Sequence, residues 1–153
     1  MKRALLTGMS GTGKSTLVAA LTALGHRAID TDDGYCVEAS NGEWVWDEQR
    51  MDALFATSDV ANLVVAGCAS NQGQYYDHFD IVILLSAPID VLITRLERRT
   101  NNPFGKSEDE QRQVRRDLAL IEPRLRAIAH AEVATNRPLA EVLDDVLRLV
   151  DFS

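Results

Sequence analysis

The sequence predicts an α/β protein in which helices cover both faces of a five-stranded parallel sheet, a three-layer α/β/α arrangement. Two observations lead to this prediction. Short apolar runs alternate with helical patterns along the 153 residues, as in parallel sheets covered by helices. The first apolar run also leads directly into a glycine-rich stretch that opens a helical pattern. A chain of this length is expected to form one domain, residues 1–153, with its own core.

The predicted strands are the short apolar runs Arg3–Leu6, Arg27–Ile29, Asn62–Ala66, Ile81–Leu85 and Glu132–Ala134. Helices are predicted from apolar residues recurring at i, i+3, i+4 and i+7, near Lys14–Leu24, Asp47–Ala56, Ile89–Arg99, Ser107–Ala129 and Leu139–Val150. Pro123 is expected to break or kink the fourth helix near Glu122, because its ring clashes with the preceding turn. Two segments rich in Asn, Gly or Asp are predicted as loops, Asp33–Trp46 and Thr100–Lys106. Loops at the carboxyl ends of parallel strands form ligand crevices.

A phosphate-binding loop is predicted between the first strand and the first helix. The stretch GMSGTGKST fits G-x-x-x-x-G-K-[ST], a pattern whose backbone N–H groups cradle phosphate oxygens beside the positive end of a helix. Lys14 is expected to reach the β- and γ-phosphates of ATP, and the Ser15 hydroxyl to ligate Mg²⁺. A purely structural turn would need neither residue. The predicted nucleotide contacts in the loop are Gly8, Ser10, Gly11, Thr12, Gly13, Lys14, Ser15 and Thr16.

An acidic motif follows the second predicted strand, in the stretch AIDTDDGY. Asp30 and Asp32 are two residues apart, so their side chains point the same way in an extended segment. One carboxylate could orient a Mg²⁺-bound water while the other accepts a proton from an acceptor hydroxyl. The alternative is a solvated acidic turn that also includes Asp33 and Gly34.

The spacing of GMSGTGKST and DTD resembles shikimate kinase and its relatives in the adenylate-kinase-like group, including gluconate kinase. LLSAPIDVLITRLERRT is similar to the strand and helix that lead into the lid of that family. EPRLRAIAHAEVATNRP is similar to its following helix, last strand and nucleotide-base loop. The resemblance implies strand order 2-3-1-4-5, a short lid at about residues 98–108, and an enzyme that transfers the γ-phosphoryl of Mg-ATP to an alcohol group of a small-molecule acceptor.

The resemblance also implies roles for individual residues. Asp30 would be the carboxylate on the Mg²⁺ side, and Asp32 would bind the acceptor as general base. Arg95 and Pro138 would sandwich the adenine. Arg124 lies near the place where the family has an arginine for the acceptor or a phosphate.

The acceptor side departs from the family pattern. Shikimate kinases hold the acceptor's carboxylate with an arginine on the helix before the third strand, and Trp46 stands near that place, one helical turn from Arg50. The family's triple glycine is replaced by GCASNQG, residues 67–73. These departures argue against shikimate as the acceptor and predict a rebuilt pocket, in which tryptophans face a sugar, a flat ring or a cation. Alternatively, both tryptophans are core or loop anchors. The pocket is predicted to include Trp44, Trp46, Arg50, Ser70, Asn71 and Gln72.

Basic residues lead into the predicted lid. Arg95, Arg98 and Arg99 share one side of a helix, and Lys106 ends the loop that follows. In a kinase such a lid excludes water and brings cations to the transferring phosphoryl group, a role predicted for Arg99 and Lys106. The alternative is a solvated arginine face paired with nearby acids, which is the expectation for Arg98.

Composition narrows the function classes. The 16 basic and 23 acidic residues give a formal charge of −7, which argues against a general nucleic-acid binder. The longest apolar stretch, Ile81–Leu85, is too short to span a membrane. The N-terminus lacks a signal peptide's apolar segment, and two cysteines make no disulfide framework. A cytoplasmic protein with a small-molecule acceptor is expected, with neither nucleic acid nor membrane as partner.

Two further readings stay open. A nucleoside or nucleotide kinase would use the tryptophans to stack on a base, and a regulatory protein would bind ATP without turning it over. A GTPase switch is disfavoured because ATNRP stands where a guanine-reading Asn-Lys-x-Asp motif would be. An AAA-type motor is disfavoured because the length leaves no room for a second helical domain and the third strand, LVVAGC, ends without an acidic residue.

Overall fold

A computed structural model gives the structure of the chain and describes residues 2–57, 62–100 and 103–151. The strands are β1 (Arg3–Thr7), β2 (Ala28–Asp30), β3 (Cys36–Glu38), β4 (Trp44–Trp46), β5 (Leu63–Ala66), β6 (Ile81–Ser86) and β7 (Ala131–Ala134). The helices are α1 (Lys14–Ala23), α2 (Glu48–Thr57), α3 (Ile89–Arg98), α4 (Glu108–Ile128) and α5 (Leu139–Val150), and a 3₁₀-helix spans Gln72–His78.

The main sheet has five parallel strands in the order β2-β5-β1-β6-β7. Counted in chain order within this sheet, that is 2-3-1-4-5, so the predicted topology is confirmed. β1 is the central strand, and Leu5 pairs with Val65 on one side and with Val82 on the other. Because the strands are parallel and β5 lies between β2 and β1, the carboxyl ends of these three strands lie next to one another at one edge of the sheet.

The core lies on both faces of the sheet, because successive residues of β1 point to opposite sides. Leu6 packs with α1 and α5 through Leu17, Leu21 and Val146. On the other face, Leu5 packs with α2 and the 3₁₀-helix. These leucines are fully buried, and burying each contributes about 1.5–3 kcal/mol. The predicted three-layer α/β/α arrangement is therefore confirmed.

The segment Asp33–Trp46 is more ordered than predicted. It contains β3 and β4, which form an antiparallel hairpin with Cys36 opposite Trp46 and Glu38 opposite Trp44, so the loop prediction is wrong for these two strands. The 3₁₀-helix after β5 was also not predicted. Both elements are short, and each is held mainly by contacts with the body of the protein.

Helix α4 continues through Pro123 from Glu108 to Ile128, so the expected break does not occur. Proline deprives the Ala119 carbonyl of its helical donor, but Ala119 is exposed and water can take that place. Val114 and Leu125 are buried on either side of it and hold both parts of the helix on the protein. The start is fixed by a capping box between Ser107 and Glu110.

The predicted lid, about residues 98–108, includes Asn101 and Asn102, which lie outside the described residues. None of the helices within the described ranges has the length and apolar character needed to cross a bilayer.

The junction between β2 and β5 generates a stability prediction. A Cβ atom at Gly67 would lie 2.0 Å from the Thr31 Oγ1 atom, and Thr31 is fully buried. Gly67→Ala is expected to lower the free energy of unfolding by about 1–3 kcal/mol, as overpacking does in a tight core. Urea denaturation measures the change.

Gly73→Ala is the matched control, because the nearest atom to its Cβ would be Tyr76 Cε2 at 3.8 Å. Adding Thr31→Ala to Gly67→Ala should recover part of the lost stability, since it removes two of the three atoms in the clash. Equal stability of the two single glycine variants would contradict this account of the junction.

Candidate active site

A cavity of about 530 Å³ lies beside the phosphate loop and the start of α1. It brings together the phosphate loop, one carboxylate of the acidic motif, arginines from α3 and the segment joining β7 to α5. The lining residues are Ser10, Gly11, Thr12, Gly13, Lys14, Ser15, Thr16, Leu17, Asp32, Arg95, Arg99, Phe104, Thr135, Arg137, Leu139 and Val142.

The phosphate loop has the tight backbone that its glycines predict. Gly11 and Gly13 have φ of 87° and 96°, in the left-handed region that glycine adopts without strain. Gly8 lies against β6, where an added Cβ would be 2.4 Å from the Leu85 carbonyl oxygen. The Thr12 hydroxyl donates a hydrogen bond of 2.8 Å to the Met9 carbonyl, which closes the turn.

Lys14 lies folded back across this loop. Its Nζ donates hydrogen bonds to the carbonyls of Gly8 at 2.5 Å and Met9 at 3.0 Å. Burial lowers the pKa of Lys14, and the negative charges of Cys68, Asp32 and Asp30 oppose that effect. A half-buried ammonium group held by carbonyl dipoles at the wall of the cavity is well placed to bind a phosphate anion.

Ser15 and Asp30 come together across the end of the sheet. The Ser15 hydroxyl donates to Asp30 Oδ2 at 2.5 Å, and Asp30 Oδ1 accepts a 3.0 Å hydrogen bond from the Asp32 N–H. A hydroxyl and a carboxylate beside a phosphate loop form the oxygen donor set that Mg²⁺ uses together with substrate phosphates. These two side chains therefore fit the predicted magnesium site.

Asp32 lines the same cavity as Lys14. Burial raises the pKa of Asp32, and the neighbouring Asp30 carboxylate raises it further, while Lys14 and Arg99 act in the opposite direction. A carboxylate with a raised pKa is a stronger proton acceptor than an ordinary aspartate. Its surroundings suit the general-base role that the resemblance implies.

Arg95 ties the phosphate loop to the end of β7. Its Nη1 donates to the Gly11 carbonyl and to Thr135 Oγ1, both at 3.0 Å, and its Nη2 donates to the Thr135 carbonyl at 2.5 Å. Thr135 is buried and its hydroxyl lies 3.3 Å from the Ser86 carbonyl oxygen. The plane of the Arg95 guanidinium is therefore fixed at the edge of the cavity.

Arg99, the C-cap residue of α3, also lines the cavity. Its Nη2 donates to the Phe104 carbonyl at 3.0 Å, and its Nε is buried with no hydrogen-bond partner among the residues that the structure describes. Burial lowers the pKa of Arg99, while Asp32 and Glu110 raise it. Arg98 and Lys106 are exposed and lie outside the cavity lining.

Apart from Asp32, none of the residues predicted to bind the acceptor lines this cavity. Trp46 is 1% exposed and packs against Tyr75 at a ring-centroid distance of 5.7 Å. The Asn71 side chain holds the Trp46 backbone, accepting from its N–H at 2.9 Å and donating to its carbonyl at 3.0 Å. Buried Gln72 donates to Thr7 Oγ1 at 3.1 Å and to the Tyr76 hydroxyl at 2.9 Å.

The remaining predicted residues also do not line the cavity. The Ser70 hydroxyl donates to Glu43 at 3.0 Å, next to exposed Trp44. Arg50 donates to the Gly34 carbonyl and lines a second cavity of about 420 Å³. Arg124 is exposed on α4, and Pro138 is the N-cap residue of α5.

Several lining residues were not singled out from the sequence. Phe104, Thr135, Arg137, Leu139 and Val142 reach the cavity from the lid segment, the end of β7 and the first turns of α5. For the four that follow the last strand, that position was the available signal, since ligands bind outside the carboxyl ends of parallel strands.

With this geometry established, the family can be assigned. Residues 5–116, about three quarters of the chain, match the AAA domain family. The chain belongs to the AAA domain family. The matched residues include the phosphate loop, the acidic motif and α3. They also include β5, the third strand of the main sheet in chain order, which is followed by Gly67 and Cys68 without an acidic residue. The expectation that it is no AAA-type motor stays a prediction.

Relatives with known names are similar over nearly the whole chain. A shikimate kinase from Caldanaerobacter subterraneus subsp. tengcongensis is 27% identical, over 97% of this chain and 95% of its own. A shikimate kinase from Acinetobacter baylyi is 24% identical, over 95% and 89% respectively. These relatives confirm the resemblance that the motifs indicated, and with it the prediction of a P-loop kinase.

Solved structures show the same fold. The shikimate kinase from Acinetobacter baumannii in complex with shikimate gives a TM-score of 0.67 at 23% identity, covering 98% of this chain and 93% of its own. A gluconokinase from Sinorhizobium meliloti 1021 gives 0.65 at 19% identity, covering 98% and 94%. At these identities the comparison establishes the architecture, and the acceptor must be argued from this chain's own residues.

The close approach of Gly8 to β6 generates a prediction about the loop. Gly8→Ala should weaken binding of ADP and Mg²⁺ about tenfold or more, since the 2.4 Å contact with a backbone oxygen forces the loop to move. Isothermal titration calorimetry measures the affinity.

Gly25→Ala is the control variant, because Gly25 also has a positive φ, of 90°, but has no atom within 4 Å of the added Cβ. It should lose about 1 kcal/mol of stability from backbone strain and bind ADP normally. Unchanged ADP affinity in Gly8→Ala would show that nucleotide binding does not require the close approach of Gly8 to β6.

Proposed function

We propose that this chain is an ATP-dependent kinase that transfers the γ-phosphoryl group to a hydroxyl of a small-molecule acceptor. The observation that carries the proposal is that Lys14 and Asp32, a phosphate-binding cation and a carboxylate with a raised pKa, line one cavity. Phosphoryl transfer depends mostly on positioning and on neutralising charge, and this cavity offers groups for both.

Each group has a defined part in the proposed reaction. The loop N–H groups and Lys14 bind the β- and γ-phosphates. Asp32 accepts the proton of the acceptor hydroxyl as its oxygen bonds to the γ-phosphorus and the bond to the ADP oxygen breaks. Arg99, which lines the same cavity as Asp32, neutralises charge on the transferring phosphoryl group. Lys106 remains a candidate for the same task once nucleotide is bound.

Magnesium fits at Ser15 and Asp30, whose oxygens converge beside the loop. When bound there, Mg²⁺ would neutralise charge on the β- and γ-phosphate oxygens. The Ser15 hydroxyl and the Asp30 carboxylate would hold the ion. Asp30 also fixes the backbone of Asp32 through its other oxygen, which keeps the two carboxylates in separate roles.

The names of the relatives support a small-molecule acceptor, since they include shikimate kinases and a gluconokinase. They favour this reading over a nucleoside kinase or an ATP-binding regulator. The acceptor itself is open to a direct test. Mg²⁺-dependent release of ADP would be measured with and without sugars, polyol acids, nucleosides and amino alcohols.

The roles of Lys14 and Asp32 generate the first functional prediction. Lys14→Ala should abolish acceptor-stimulated ADP release, and Asp32→Asn should reduce it by about two to four powers of ten while ADP binding is retained. Circular dichroism would verify that both variants fold. Parental turnover in Lys14→Ala would refute the proposal, and parental turnover in Asp32→Asn would remove Asp32 from the base role.

A pH dependence follows from the environment of Asp32. The base must be ionised, so kcat/KM should fall as the pH drops through the pKa of Asp32, which burial and Asp30 raise above the ordinary aspartate value of 3.8. Arg99 lowers that pKa. Arg99→Gln should therefore move the acid limb of the pH–rate profile to higher pH, in addition to slowing transfer.

Arg99→Lys is the matched control, because it keeps the positive charge and should leave the acid limb closer to its parental position. The measurement is kcat/KM against pH at saturating Mg²⁺. An acid limb that stays in place in Arg99→Gln would mean that a group other than Asp32 sets the profile.

A further inference from the structure

The peptide group that joins Phe104 to Gly105, here called the linking peptide, lies between a positive and a negative side chain. Its carbonyl oxygen accepts a 3.0 Å hydrogen bond from Arg99 Nη2, and its N–H donates to Glu110 Oε1 at 3.2 Å. A peptide group is a dipole with its positive end at the N–H and its negative end at the carbonyl. Each charged side chain therefore binds the end of opposite sign, and hydrogen bonds in such a chain strengthen one another.

The linking peptide lies directly on α3. Gly105 is buried and has a φ of 93°, a conformation that glycine adopts without strain. An added Cβ atom at Gly105 would lie 2.8 Å from the Leu96 Cβ atom, so the backbone is in close contact with the helix. The Phe104 side chain packs against the buried cluster of Ile93, Leu96 and Val114. These contacts fix the carbonyl that holds Arg99.

The first turn of α4 binds the backbone of Gly105 at both of its polar groups. Glu110 accepts from the Gly105 N–H, and the next residue, Gln111, donates from Nε2 to the Gly105 carbonyl at 3.2 Å. Gln111 Nε2 also donates to Glu97 Oε1 of α3 at 2.8 Å. The segment that carries the linking peptide is therefore bonded to α4 as well as packed on α3.

Glu110 also belongs to the capping box at the start of α4. The Ser107 hydroxyl accepts from the Glu110 N–H at 3.1 Å, and Glu110 Oε1 accepts from the Ser107 N–H at 3.4 Å. A capping box satisfies donors at the helix start, but it requires no bond to Gly105, two residues before the N-cap residue. The same carboxylate oxygen makes its shorter contact with Gly105, at 3.2 Å. The capping box therefore does not account for the whole role of Glu110.

Arg99 keeps a donor for a ligand while the linking peptide holds it. Its Nε is buried with no hydrogen-bond partner within the described part of the chain. We infer that Glu110 is a positioning residue for phosphoryl transfer, which fixes the Arg99 guanidinium in the cavity through the linking peptide. The inference rests on the proposed function, in which Arg99 neutralises charge on the transferring phosphoryl group. A cation already fixed in place needs no reorganisation at the moment of reaction.

The test begins with kcat and the KM for ATP, measured from acceptor-stimulated ADP release. Glu110→Ala removes the acceptor of the linking peptide, so the Arg99 guanidinium loses its fixed position. It should lower kcat about tenfold or more and leave the KM for ATP within about twofold of the parent's, as loss of an interaction made in the transition state does. Glu110→Gln should keep kcat within about threefold of the parent's, because its amide oxygen accepts the same hydrogen bonds.

A second readout follows the position of Arg99 itself. The Asp32 carboxyl is faced by Asp30, which raises its pKa, and by Lys14 and Arg99, which lower it. Displacement of Arg99 in Glu110→Ala would raise the pKa of Asp32. The acid limb of kcat/KM against pH should therefore move to higher pH, in the same direction as in Arg99→Gln.

Ser107→Ala is the matched control for the capping box. Ser107→Ala and Glu110→Ala each remove one bond of the box, so each should lower Tm by about 2–4 °C. The Ser107 side chain bonds to the Glu110 N–H and not to the linking peptide. Only Glu110→Ala should therefore change kcat and the acid limb.

Combining variants tests whether Glu110 acts through Arg99. In the Arg99→Gln background, Glu110→Ala should lower kcat by less than about twofold further, since residues that act through one another are not additive.

The outcomes separate this inference from the proposed function. Equal loss of kcat in Glu110→Ala and Ser107→Ala would overturn the inference, because the effect would then come from the start of α4. A full further loss in the Arg99→Gln background would also overturn it, as would an acid limb that moves in Arg99→Gln but not in Glu110→Ala. A parent without acceptor-stimulated ADP release would refute the proposed function, and the inference would fall with it.

Discussion

The site depends on a positive charge that the chain holds, half-buried, against its phosphate loop. The Lys14 ammonium is bound by the carbonyls of Gly8 and Met9, and burial lowers its pKa. Carbonyl dipoles stabilise an ammonium less well than an anion does. The phosphate loop is therefore closed around a cation that a phosphate would bind more strongly than the carbonyls do. The roles of Asp30 and Asp32 follow from how each lies relative to this cation.

Asp30 and Asp32 illustrate this relation. Both lie close enough to Lys14 to raise its pKa, yet their own hydrogen bonds separate them. Asp30 is engaged by Ser15 and by the Asp32 N–H, whereas the Asp32 carboxyl faces the cavity with a raised pKa. Two carboxylates on one short segment are thus given different chemistry by their environment, which is how one site can provide both a metal ligand and a base.

Features that depend on residues close together in the chain were predicted from the sequence. Features that depend on contacts between distant residues were missed. The five parallel strands were identified from short apolar runs such as Leu63–Ala66. The phosphate loop was identified because the spacing of its glycines, lysine and serine determines the conformation of its own backbone. The hairpin of β3 and β4 was missed because three-residue strands carry little pattern, and because it is held at Trp46 by Asn71, a residue distant in the chain. The cavity contact of Arg137 also depends on tertiary structure, through its hydrogen bond to Asp145.

The segment after β5 shows why motif departures are hard to interpret from sequence. Ser70, Asn71 and Gln72 belong to the segment GCASNQG, and their side chains are bonded within the protein, to Glu43, to the Trp46 backbone, and to Thr7 and Tyr76 respectively. A polar group that already has a partner gains little by exchanging it for a ligand. These bonds hold the hairpin and the 3₁₀-helix against the edge of the sheet that carries Asp32. Residues that look from the sequence like parts of a rebuilt pocket are therefore, in the structure, residues that set the position of the hairpin and the 3₁₀-helix.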